Sequence, residues 1–132
     1  DNPAAMGPAG TVHCSLPDWA KFVREHMRGA RREKTLLNLD GKTFARLQTA
    51  PAGGTYGLGW GVVDLDWAKN GRALRHDGSN GMFYAAVLAV PANDVFFLVA
   101  SNRGDDLAKA AVAEVTSELV QRYQRRTRRA KP

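Results

Sequence analysis

The spacing of apolar residues changes along the chain, and each change marks an element. From Ser15 to Asp18 the run S-L-P-D reads as a helix start. Ser15 is the N-cap, and Pro17 sits in the first turn, where a missing N–H costs nothing. Trp19, Phe22, Val23, His26 and Met27 then recur at helical spacing, while Lys21, Arg24, Glu25 and Arg28 fill the other face. His26 lies at the edge of that stripe and is expected to be a packed or half-exposed histidine, not a ligand. GARREKT is a charged connector. A shorter helix is expected from Asp40 to Gln48, with Phe44 and Leu47 inward, and the Pro and Gly of TAPAGGT mark a loop.

The next stretch alternates. In YGLGWGVVDL, Tyr56, Leu58, Trp60 and Val62 would line one face of a strand and Gly57, Gly59 and Gly61 the other. Glycine weakens a strand, so the alternation is expected to serve close approach of another backbone or of a helix. A turn at LDWAKNGR leads to a short strand RALRH, the segment HDGSNGMF, a strand YAAVLAV, a turn PAND and a strand VFFLVAS. Short turns make these strands antiparallel neighbours. From Asp105 to Tyr123 the helical period returns, with Ala108, Ala111, Val112, Val115 and Leu119 on one stripe. The order predicts an α+β fold, an antiparallel sheet of three to four strands packed by N-terminal and C-terminal helices.

Composition narrows the picture. The 132 residues fit one domain, and 44% hydrophobic with 24% charged content is ordinary for a globular protein. The longest apolar runs fall well short of the roughly 20 residues of a membrane helix. DNPAAMGPAG carries no apolar signal-like core, so a mature form or a fragment is expected. The net charge of +6 comes from Arg122, Arg125, Arg126, Arg128, Arg129 and Lys131; without them the body has 13 basic against 13 acidic residues. Residues 122–132 are expected to be a solvated, frayed basic tail, although such a tail also attracts phosphate or anionic lipid. Nucleic acid is not the expected partner, because Tyr123 alone is interleaved to stack on bases. Cys14 has no partner for an internal disulfide and is expected to act as a small buried hydrophobe.

HDGSNGMF holds the candidate chemistry. Asp, Gly, Ser and Asn are turn formers, so an elaborate hairpin loop is one reading. His76 and Asp77 supply two metal-type ligands without a second cluster, and DGSNG lacks the carboxylates and closing glutamate of a calcium loop. Arg103-Gly104-Asp105 reads as a strand-to-helix turn.

The ordered set PAGTVHCSLPDWAKF, TLLNLDGKTFARLQTAP, YGLGWGV and HDGSNGMF, then two strands and SNRGD, resembles a known arrangement. It is similar to the C-terminal part of the serine β-lactamase and penicillin-binding-protein-like hydrolases, especially the class C β-lactamase, D,D-peptidase and esterase branch. The resemblance runs from about Gly7 to Gln121. It implies that His76, Asp77 and Gly78 fill the family's third motif, with His76 where other members carry lysine. Gly78 would let substrate approach the backbone, and Ser79 would give its N–H to an oxyanion hole, worth about 3 kcal/mol. Asp77 and Asn80 would border the substrate.

An imidazole near pH 7 passes protons but is a weak fixed cation, which favours an esterase or peptidase over a carboxylate-recognising β-lactamase. The family's Ser-x-x-Lys nucleophile and Tyr-x-Asn motif are not found: Ser15, Ser79, Ser101 and Ser117 are followed three residues later by Asp18, Met82, Gly104 and Val120. The segment alone is therefore expected to be inactive. Its expected partners are the missing N-terminal part of the catalytic domain or a second copy, and an ester, peptide or β-lactam in the complete enzyme. The resemblance implies no cofactor or metal, and a periplasmic or secreted location. The alternative is a non-catalytic binding module on the same scaffold.

Overall fold

A computed structural model describes residues 3–130. After a 3₁₀ turn at Ala4–Met6, the helices are a single turn α1 (Gly7–Gly10), α2 (Leu16–Ala30), α3 (Gly41–Leu47) and α4 (Asp106–Arg129). The strands β1 (Gly61–Asp64), β2 (Arg72–Ser79), β3 (Tyr84–Val90) and β4 (Val95–Ser101) form one antiparallel sheet in the order β1-β2-β3-β4. The expected α+β class is what the structure shows. By contact density the chain forms two compact units: one takes the residues up to His76 with Ala89–Phe96, the other takes Asp77–Leu88 and the chain from Phe97 onward.

In the first unit, helix α2 begins as its cap predicts. The Ser15 hydroxyl accepts from the Asp18 amide at 3.2 Å and donates to the Asp18 carboxylate at 2.7 Å. Such a cap contributes about 1 kcal/mol. Val23, Met27 and Phe44 are almost completely buried. Gly29 explains the intimacy of α2 with α3, because a β-carbon there would stand only 2.2 Å from the Phe44 ring. Asp40 caps α3 by accepting from the Thr43 amide at 2.7 Å.

Two residues placed on the polar face or stripe edge of α2 are in fact buried, Glu25 and His26. Glu25 bends inward because its carboxylate has work to do: it accepts from the Leu36 amide and meets Arg28 at 3.4 Å, fastening the charged connector. His26 is surrounded by the rings of Phe22, Phe44 and Trp60, at centroid distances of 4.6, 5.6 and 5.2 Å. Its Nδ1 accepts from the Trp60 indole N–H at 3.2 Å, so Nε2 carries the proton of the neutral ring.

Burial holds the His26 pKa below the ordinary imidazole value. The unfolded chain therefore binds more protons than the fold as pH drops below about 6.5. The stabilisation is complete above that pH and is lost as pH falls toward the folded value. Urea unfolding at pH 7.5 and 5.0 should show stability rising with pH. The difference should shrink in His26→Gln, whose amide cannot be charged; an equal difference would contradict the assignment.

The expected strand from Tyr56 to Trp60 is not one. Tyr56 forms an isolated bridge to Gly61, closed by Gly57 N–H to Trp60 C=O at 2.7 Å and Val62 N–H to Thr55 C=O at 2.7 Å. Gly59, at φ +90°, makes this tight reversal, a backbone region that side chains with a β-carbon avoid. Gly57 lies where a β-carbon would meet the carbonyl oxygens of Leu47 and Thr49 at 2.8 and 3.0 Å. The glycines do serve close approach, but in a loop. Only Gly61 onward enters the sheet, with Gly61 opposite Arg75 and Asp64 opposite Arg72.

In the second unit Tyr84, Ala108 and Val112 form a buried cluster, flanked by Ala86 and Val99. Helix α4 is capped by Asp105, which accepts from the Ala108 amide at 3.0 Å and from Arg103 Nε at 2.6 Å. The Arg103 hydrogen bond, with the Ala108 amide, holds the Asp105 carboxyl below its ordinary range. Arg103-Gly104-Asp105 is thus the strand-to-helix turn the sequence suggests. Of the predicted α4 stripe, Ala108 and Val112 are buried, Leu119 is half-buried, and Ala111 and Val115 are exposed. The helix continues to Arg129, past residue 122, where the basic tail is expected to begin. Lys131 lies outside the described residues. Cys14 is exposed, which corrects the expected burial.

Candidate functional site

Strand β2 carries the candidate residues further than the sequence suggests. His76, Asp77, Gly78 and Ser79 continue the strand begun at Arg72, and the reversal is left to Asn80–Phe83. A strand presents successive side chains to opposite faces, so Asp77 and Ser79 alternate with His76 and Gly78. The structure gives each residue different company.

His76 is exposed, and its Nδ1 lies 2.9 Å from the Tyr56 hydroxyl, with ring centroids 6.3 Å apart. Tyr56 is itself 52% exposed, so core packing does not account for the pair. The Tyr56–Gly61 bridge and the tight loop set the position of the phenol. A phenol is the better donor of the two groups, so Nδ1 accepts. Sequence reasoning missed Tyr56 because it placed that residue on a strand face with Leu58 and Trp60. No local signal pairs two residues twenty positions apart; the Tyr-Gly-Leu-Gly run, read as a loop, was the available clue.

Asp77 accepts from the Tyr84 hydroxyl at 2.5 Å. The Ser79 hydroxyl donates to the Gly104 carbonyl at 2.7 Å and accepts from the Gly81 amide at 3.0 Å. With its side chain so engaged, Ser79 has the geometry of a structural hydroxyl. A β-carbon on Gly104 would stand 2.7 Å from that hydroxyl and 2.5 Å from Gly81. The Asn80 side-chain oxygen accepts from the Met82 and Phe83 amides at 3.0 and 2.8 Å, which shapes the turn.

Gly78 is the contrast. Among the described residues, no atom lies within 4 Å of where its β-carbon would be, and its φ is not positive. Neither backbone conformation nor packing within the described chain requires glycine there. Among the described residues no group of three or more His, Cys, Asp and Glu side chains could hold a metal ion. No helix among them is long and apolar enough to cross a membrane.

Comparison with known families fits this arrangement. The family model described as Beta-lactamase matches residues 1–121. The chain belongs to the Beta-lactamase family, with a scaffold of the serine β-lactamase and penicillin-binding-protein-like type. Searches among curated proteins and solved structures returned no match.

Proposed function

We propose that the chain is the C-terminal portion of a serine hydrolase domain, of the class C β-lactamase, D,D-peptidase and esterase branch, and forms one wall of its active site. The observation that carries this reading is the exposed His76 imidazole held at Nδ1 by the Tyr56 hydroxyl. A turn former needs no such partner, whereas a group that meets substrate must be oriented.

In this reading a serine in Ser-x-x-Lys, on a segment upstream of Asp1, attacks the carbonyl of an ester, amide or β-lactam. The Ser79 N–H stabilises the resulting oxyanion, Gly78 leaves room for the substrate, and His76 Nε2–H donates toward the substrate or leaving group. Asp77 and Asn80 act through the strand and turn that they fix. Acylation and hydrolysis then restore the serine.

A fluorophosphonate probe tests this. The chain by itself should remain unlabelled, and a natural polypeptide extending upstream through Ser-x-x-Lys should be labelled at that serine. Label on the chain alone would overturn the division of roles. A natural polypeptide with no Ser-x-x-Lys would favour the rival reading, a non-catalytic binding module.

A further inference from the structure

The last turns of α4 carry a feature that the hydrolase wall does not use. Arg122, Arg125, Arg126 and Arg129 are exposed and border one concavity of about 220 Å³. Their spacing creates like-charge neighbours at i,i+3 and i,i+4, an arrangement that destabilises an isolated helix. Glu118, 2.8 Å from Arg125, is the counter-charge, and no acidic residue follows it. The helix dipole accounts for cations in the final turn but fades beyond it. Arg122 stands about two turns from the helix end. These residues also lie beyond the 1–121 stretch that matches the family.

Beside the arginines is an apolar groove that includes Phe97, Leu119 and Tyr123 and shares Arg122 and Arg126. A row of cations flanking an apolar trough matches the boundary between phosphate headgroups and acyl chains. Nucleic acid fits less well. Base stacking needs an available aromatic face, and the Tyr123 ring is engaged with Phe97 in a T-shaped contact at 6.1 Å. We infer that the C-terminal turns of α4 dock on an anionic phospholipid surface, the arginines meeting phosphates and the Phe97–Tyr123 groove lying at the acyl boundary.

Co-sedimentation of the intact chain with vesicles tests the surface. Binding is expected to phosphatidylglycerol–phosphatidylcholine vesicles and not to pure phosphatidylcholine, and should weaken as salt rises. Replacing Arg122→Gln and Arg126→Gln together should weaken binding roughly 30-fold, about fivefold for each charge. The pair Arg122→Lys and Arg126→Lys should retain it, as should Arg24→Gln on α2. Circular dichroism should show α4 intact in every variant, since removing like charges relieves repulsion. Equal binding to neutral vesicles, or unchanged binding by the double Gln variant, would overturn the proposal. So would displacement of the chain from anionic vesicles by a single-stranded oligonucleotide at equal phosphate concentration.

Discussion

In the complete hydrolase proposed above, His76→Ala should lower kcat/KM by about 10²- to 10⁴-fold, the usual contribution of a positioned proton-transfer group. The loss should appear without unfolding. His76 is exposed, and surface substitutions usually change stability by only about 0.5 kcal/mol. Tyr56→Phe keeps the ring and deletes the hydroxyl that meets Nδ1 at 2.9 Å. It should cost less, about tenfold by the net worth of one hydrogen bond, because the phenol orients the imidazole. Steady-state kinetics across pH would check both variants. An unchanged kcat/KM in the His76 variant would remove this strand from the catalytic machinery.

The largest structural effects are expected where Gly29 packs against Phe44. Alanine is usually the better helix former by about 1 kcal/mol, yet its methyl group would sit 2.2 Å from the fully buried Phe44 ring. The ring must move or the helices must part. Overpacking of this kind costs about 1–3 kcal/mol and occasionally more, so Gly29→Ala should destabilise by about 2 kcal/mol despite its propensity. Phe44→Ala alone should cost about 3–5 kcal/mol. The two together should cost less than their sum, because removing the ring also removes the clash. Urea denaturation of the three variants measures that coupling. Strict additivity would show that Gly29 and Phe44 do not share the contact.

Much of this was legible because local physics sufficed. YAAVLAV and VFFLVAS are continuous apolar runs between turn formers, and they are the strands β3 and β4. Ser15 and Asp105 could be read as boundaries because capping is decided within three residues. The failures share one cause, a partner distant in sequence. His26 is buried because Trp60 supplies its N–H, and Glu25 because the Leu36 amide waits for it. Tyr56 to Trp60 imitated a strand by alternating large and small residues, but period two records only which residues differ, not whether a second strand is there to pair with them. The helix also runs through the arginines from Arg122 to Arg129. Arginine is a good helix former, and a C-terminal end tolerates cations. The family resemblance was recognisable from the order of segments along the chain, whereas the pairing of His76 with Tyr56 needed the fold.

The empty space beside Gly78 also separates two kinds of selection. Gly29, Gly57 and Gly104 are held by contacts inside the described chain, so a library screened for solubility would preserve them. Gly78 meets no such atom, and the same screen would let alanine drift in unnoticed. Only a selection for turnover would restore the glycine. If the proposed wall is in use, residue 78 would record it long after folding has ceased to say.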